Sequence, residues 1–475
     1  MKFNWKNYHS IWLLLLTGWV VSYADRIITG PILTWMIENK ISFLQDSSSP
    51  YALAGIIGSL LFTGYMLTQF PGGYLGDSYG HRSIIVISLL WAGFTTVLSG
   101  LTTTLFGFVA LRVIVGLGEG LYYSNDRTLI NEVTPIKRRS LGMGIVITGL
   151  SIGITLGTLL TPYLINFGEE VLGFEHAWRM PFFLLGILTM IVGVIVYKTF
   201  KEQEPNMAIL PPLLKVLQYS ALFLSIIMII FYVADYFLLP SWSLAIIELV
   251  LAFVLILFAL NKKAEKLSPV LLDKNLLLMY FSAIPILWNL WFFGFWSVSI
   301  ISQSASTSFL EATLTATFNA IAGIIGYPLG GILADYCFKN GWGKKRLILS
   351  FTFIQGALTL IFGFYLIYEG KSLVIMGLLL FITSLFFNAI QTISHSMVGE
   401  LAKPGLKGTA FGMWNLIGEI GAVLSPVING MLRDITGEWT TAILLDGIIV
   451  LFSFVLLLFV RERSAQNSYS SRTVA

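Results

Sequence analysis

Asp25 and Arg26 stand side by side in the middle of one long apolar run, and a later run carries Arg112, Glu119, Asp126 and Arg127. In a membrane interior each such charge costs at least ~2.5–3.5 kcal/mol, so each needs a reason to be there. Arg112, Glu119 and Asp126 recur at i, i+7 and i+14. A straight helix drifts by only about 20° per heptad, so the three share nearly one face. The stripe is about 21 Å long and must line a cavity or a helix–helix seam. Guanidinium groups so placed attract a carboxylate, and Glu119 or Asp25 is a candidate to take up a proton alongside it. The plainer reading is a set of ion pairs tying two helices together, and it fits Asp126 and Arg127, nearer the helix end, better than it fits Glu119. Tyr122 and Tyr123 lie one turn from Glu119 and could add phenolic hydroxyls.

The elements that must position these residues are membrane helices. Of 475 residues, 56% are hydrophobic and only 11% charged, too few to cover a water-facing globule. Apolar runs long enough to cross a bilayer recur roughly fourteen times. Six begin near Ile11, Ala52, Ser83, Thr104, Leu141 and Met180, and six more near Leu276, Leu314, Leu347, Ser372, Thr409 and Thr441. Between the two sets, runs from about Val216 and Trp242 form a hairpin around Pro240. This predicts three segments: a six-helix bundle over 1–200, a linker with the inserted hairpin over 201–273, and a second six-helix bundle over 274–475. The first run is too long for a signal-peptide core, so no cleavable leader is expected.

Lys and Arg set the orientation. With the N-terminus cytoplasmic, the inner segments hold Arg82, Lys137, Arg138, Arg139, Lys344, Lys345, Arg346 and most other cations. The outer loops keep only Lys40, Arg179, Lys371 and Arg433. That bias places both termini inside. A repeat reinforces the two halves. Pro71-Gly72-Gly73, ending in Asp77, closes the second run, and Pro328-Leu329-Gly330-Gly331, ending in Asp335, closes its counterpart in the second half. A short basic loop follows each, as in duplicated transport proteins.

Other polar groups in apolar runs are weaker signals. Asn415 and Glu419 share a face, as do Gln391 and His395, while Asp446, Asp235 and Glu248 stand alone. Gly149, Gly153 and Gly157 form a small-residue ridge suited to close helix packing. Several classes are excluded or disfavoured. One cysteine and four scattered histidines leave no basis for a metal centre, no cofactor is called for, and the cations form no nucleic-acid stripe. The loops are too short and too poor in histidine for a membrane enzyme, and no repeated filter element suggests a channel.

The residues also resemble the major facilitator superfamily across nearly the whole chain. Gly73-x-x-x-Asp77-x-x-Gly80-x-Arg82 looks like its loop signature, and Gly331 and Asp335 like the weaker second copy. Within that superfamily, Tyr23-Ala24-Asp25-Arg26, Arg112 through Gly120, and Gly408-Thr409-Ala410 leading to Asn415 resemble the anion:cation symporters, which include hexuronate and other sugar-acid carriers. The resemblance implies an all-α fold of two six-helix bundles working by alternating access as a monomer; the inserted hairpin departs from that pattern, and a bacterial cytoplasmic membrane is expected because no N-glycosylation acceptor is present. It implies that Arg26 and Arg112 bind a small organic anion, with Asn415 and Tyr123 as further contacts. Asp25 and Glu119 would couple a proton, or sodium would take the proton's place. Gly73, Asp77, Gly80 and Arg82, with Gly331 and Asp335, would form inner-side latches in which the Asp and Arg act together. The sequence departs from the pattern at Ser124, Asp126 and Arg127, and the Asp-Arg and Gly-Glu signatures also resemble spinster-type lysolipid carriers. An amphiphile is therefore the alternative cargo.

Overall fold

The computed structural model describes residues 6–44, 48–135, 139–237, 264–340, 342–403 and 406–461, with scattered positions between 239 and 254. Backbone polar groups find no partner in lipid, so an apolar run must satisfy its own as a helix. Thirteen helices among the described residues are long and apolar enough to cross a membrane. The fourteenth span expected from about Trp242, with Glu248 and the side chain of Asp235, lies outside the described residues.

Contacts group the chain into two compact units, Met1–Phe253 and Val254–Ala475. The first holds α1 (Asn7–Glu38), α2 (Pro50–Tyr79), α3 (His81–Leu101), α4 (Leu105–Val133), α5 (Arg139–Leu172), α6 (Met180–Gln203) and α7 (Leu210–Tyr236). The second holds a short α8 (Ala264–Leu271), then α9 (Lys274–Ala305), α10 (Phe309–Lys339), α11 (Lys344–Ile367), α12 (Leu373–Leu401), α13 (Lys407–Thr436) and α14 (Thr440–Leu458).

Each unit is built by the same pairing rule. In the first, α1 packs on α5, α2 on α4 and α3 on α6; in the second, α9 packs on α13, α10 on α12 and α11 on α14. The Gly-rich stretches read as a sequence repeat lie inside equivalent helices, with Pro71 in α2 and Pro328 in α10. Helix α7 joins the first unit through Val216, which packs with Leu75, Ile84, Ile87 and Leu121.

Close approach is what holds the charged helices in place. The glycine ridge of α5 faces α1, where a Cβ on Gly149 would sit 2.6 Å from the Leu16 carbonyl oxygen and one on Gly157 would sit 2.9 Å from that of Ala24. On α4, a Cβ on Gly116 would run into the Leu61 carbonyl, and one on Gly120 into that of Tyr65. Small residues let the helix backbones meet without intervening side chains. This brings α1 against α5 and α2 against α4, and it fixes the depth at which Asp25, Arg26, Arg112 and Glu119 stand.

Candidate functional site

The charges of α1 and α4 meet inside the first unit. Arg26 donates through Nε to Glu119 Oε2, and Ser22 Oγ donates to Glu119 Oε1 at 2.9 Å. Ser22 lies one turn before Arg26, and the Arg26 side chain leans back toward it, as helical side chains do, with Nη2 3.4 Å from Ser22 Oγ. The guanidinium carbon also sits 4.1 Å above the Tyr65 ring and 4.7 Å above that of Tyr23. Arg26 is 3% exposed and Glu119 1%, so this pair is closed off from solvent on every side.

A second, looser pair lies further along. Arg112 Nη1 stands 3.7 Å from Asp25 Oδ1, while Thr96 Oγ1 donates to Asp25 Oδ2 at 2.8 Å. Arg112 Nη2 donates to Ser99 Oγ at 2.9 Å, and its guanidinium carbon lies 4.9 Å from the Phe182 ring centre. Asp25 Oδ1 and Arg112 Nε each lack a hydrogen-bond partner in these buried surroundings. A buried donor and a buried acceptor with capacity to spare, side by side, are what a polar guest would need.

The two pairs cross between helices: each acid on one helix holds an arginine on the other. Removing one member of such a pair strands a charge in a dry interior, at a cost of about 3–5 kcal/mol. The four residues are therefore linked, and adding or removing one proton or one anion alters the preferred partner of every other.

The remaining predicted residues fall elsewhere. Asp126 is fully buried, accepts a hydrogen bond from Trp19 Nε1 at 2.7 Å and lies 3.7 Å from Arg127 Nε. Tyr123 is half-buried with the Arg127 guanidinium 5.3 Å from its ring, and it approaches Trp19 at 6.2 Å between ring centres. Asn415 belongs to the second unit, on α13, where its amide donates to Glu419 Oε1 at 3.3 Å. Gly73 approaches Ser124 of α4, and Gly80 turns the chain between α2 and α3 at φ +94°, a conformation that disfavours any side chain. Asp77 is exposed and lies 3.5 Å from His81 Nε2, whereas Arg82 reaches across to Glu204 at 3.1 Å. Asp77 and Arg82 thus take separate partners instead of each other. Gly331 lies in α10 with Thr392 nearby; Asp335 is in the same helix, its side chain outside the described residues.

Several members of the cluster carry little or no sequence signal. Ser22, Thr96 and Ser99 are hydroxyl residues in apolar helices, where such side chains usually bond the carbonyl a turn back, as Thr63 does to Ser59. Ser22 alone had a clue, its position one turn before Arg26.

Comparison with known proteins shows a match to the Major Facilitator Superfamily over residues 15–301 and 276–473. The chain belongs to that superfamily. It is 22% identical over 462 residues to a hexuronate transporter of Bacillus subtilis, covering 94% of each chain. It is 24% identical over 458 residues to a D-galactonate transporter of Escherichia coli O6:H1, covering 95% of each. Among solved structures, a bacterial homologue of the human lysosomal transporter Spinster, inward-facing and occupied, aligns with a TM-score of 0.70 at 14% identity over 96% of this chain and 97% of that one. At that identity the likeness concerns fold alone. This superfamily member is thus a multi-pass, all-helical membrane protein of a transporter family, and its sequence relatives include carriers named for sugar acids.

Proposed function

We propose that this protein is a secondary transporter that carries a small organic anion, a sugar acid or another carboxylate, together with a proton by alternating access. The observation that carries this reading is the buried Arg26–Glu119 pair, in which each group neutralises the other away from water. Protonating Glu119 leaves Arg26 as an uncompensated guanidinium. A substrate carboxylate then becomes its best available partner, because a planar fork of donors binds a carboxylate through two parallel hydrogen bonds. Proton and anion therefore enter together, and each is expelled once the other leaves.

Asp25 and Arg112 supply the second half of the mechanism. Asp25 Oδ1 and Arg112 Nε have unused hydrogen-bonding capacity, and this pair is the looser of the two. Arg112 would hold a second oxygen of the anion, with Asp25 as the reserve acceptor for the proton. Asn415 and Tyr123 would contact the polar body of the substrate. The glycines and charged residues around Asp77, Arg82, Gly331 and Asp335 would govern opening toward the cytoplasm. In this reading both termini face the cytoplasm of a bacterial cell, since the outer loops hold so few cations.

The test is uptake into proteoliposomes of glucuronate, galactonate, galactarate, simple carboxylates and phosphate esters, with and without an acid-outside gradient. Accumulation of one anion that the gradient drives supports the proposal. Accumulation driven by sodium in place of acid would replace the coupling ion. A protein that is functional by lysolipid binding yet moves no anion would overturn the substrate class.

A further inference from the structure

The second unit holds a buried acid that the arginine pairs do not explain. Asp446 of α14 is 0% exposed, and its Oδ2 accepts from Asn289 Nδ2 of α9 at 2.5 Å. Its other oxygen, Oδ1, has no hydrogen-bond partner, and Asp446 has no ion-pair partner among the described residues.

Helices α9, α11 and α13 pack on α14, and their charged groups are engaged elsewhere or lie toward the helix ends. Helix α9 carries Lys274 at its first residue and Tyr280, whose hydroxyl donates to the Val270 carbonyl at 3.3 Å. Helix α11 carries Lys344, Lys345 and Arg346 in its first turn, and Tyr365, whose oxygen accepts from the Ser372 amide. Lys344 pairs with Glu400 and Ser396, and Lys345 bonds the Leu458 carbonyl, about 18 Å along α14 from Asp446 at the helical rise. Helix α13 carries Glu419, held by Asn415, Arg433, held by Gln303 at 2.7 Å, and Lys407 and Asp434 near its ends. Among the described residues, no cation of the kind that serves Asp25 and Glu119 pairs with Asp446.

An ionised carboxylate with one amide for company in a dry helix bundle is too costly to persist, whereas the neutral acid is not. The amide is also suited to both states, because by turning over it donates to a carboxylate or accepts from a carboxylic acid. Asn289 stands at the middle of α9, the helix equivalent under the repeat to α1 with its Asp25 and Arg26. The two units thus handle a mid-membrane acid differently: the first compensates it with arginine, the second leaves it to a proton.

We propose that Asp446, held by Asn289, is a second proton-binding residue of the transport cycle, in addition to the arginine-paired carboxylates of α1 and α4. It binds its proton when buried, as here, and exchanges it with water when the site opens. This rests on the proton-coupled reading above. It adds the consequence that each anion travels with one more proton than the first unit alone accounts for, so carriage of a monovalent anion moves net positive charge.

The deciding measurement is the reversal potential of transport in proteoliposomes, with glucuronate, galactonate and galactarate tried in turn, for wild type and Asp446→Asn. The amide replacement keeps the shape and removes the titrating oxygen. The expected result is one proton fewer per anion in the variant, and the same ratio in both overturns the proposal. Where no anion moves, or where the variant does not reconstitute, infrared spectroscopy of protein labelled with [4-13C]aspartate decides on its own. The acid-to-alkaline titration should show a protonated aspartate carbonyl band that shifts in Asn289→Ser. A spectrum without such a band overturns the proposal whatever the fate of the anion reading.

Discussion

Replacing Glu119 by Gln is the sharpest probe of the first unit. Gln keeps the shape, and its one amide oxygen can still accept from Arg26 while its NH2 turns to the Ser22 hydroxyl, but it removes the carboxylate charge paired with Arg26. Stranding a buried charge costs about 3–5 kcal/mol. Tyr23 and Tyr65 recover part of this through their ring faces, at roughly 0.5–2 kcal/mol. The ligand-free variant should therefore unfold earlier, by about 1–4 kcal/mol of lost stability. A bound carboxylate then relieves a strain that wild type does not have, and each ~1.4 kcal/mol recovered is a tenfold gain in affinity. Anion binding to Glu119→Gln should therefore tighten by about tenfold to a hundredfold. Its pH dependence should flatten, because binding no longer takes up a proton, whereas wild-type binding strengthens as pH falls. Calorimetry of purified protein at several pH values reads both effects, and proteoliposomes should show exchange retained with gradient-driven accumulation lost. Weaker binding with an unchanged pH profile would refute the coupling argument and leave the pair as a structural brace.

Three other outcomes follow from the same geometry. Arg112→Gln alone strands Asp25 and should cost about 3–5 kcal/mol, while Asp25→Asn with Arg112→Gln should restore thermal stability without restoring uptake, read by melting and transport together. Gly80→Ala forces a side chain onto a positive φ and should lower stability by about 1–3 kcal/mol in a melting assay, leaving anion affinity unchanged. Gly153→Leu drives a side chain into the Val20 carbonyl and should abolish uptake or folded yield, whereas Leu156→Ala, at an exposed position of the same helix, should do neither.

Charge in an apolar run is conspicuous, so Asp25, Arg26, Arg112 and Glu119 were legible as a group from residue type and heptad spacing. Their pairing was not. Adjacent residues on α1 point about 100° apart around the helix, so Asp25 and Arg26 engage partners two turns apart on α4, and no spacing rule says which takes which. The hydroxyls of Thr96 and Ser99 were invisible because they come from α3, which has no charged residue in its membrane run. The partners within the inner loop were not legible either. The resemblance suggests that Asp77 and Arg82 act together, yet Arg82 finds Glu204 across 122 positions of sequence, a contact that depends on how α6 ends beside α3. The two-unit repeat was readable because glycines that permit close backbone contact recur at equivalent positions inside α2 and α10, and the matching helix pairs of the fold agree with it.

The seam between α1 and α5 also makes the site mechanically stiff. With glycine at 149, 153 and 157, α5 packs directly on the Leu16, Val20 and Ala24 carbonyls and on the Trp19, Tyr23 and Ile27 side chains of α1. The outer face of α5 bears Leu156, Leu160, Tyr163 and Phe167, all exposed on the unit's surface. A tilt of α5 would therefore carry the Asp25–Arg26 step with it, and the rate of uptake is expected to vary with the acyl-chain length of the surrounding lipid.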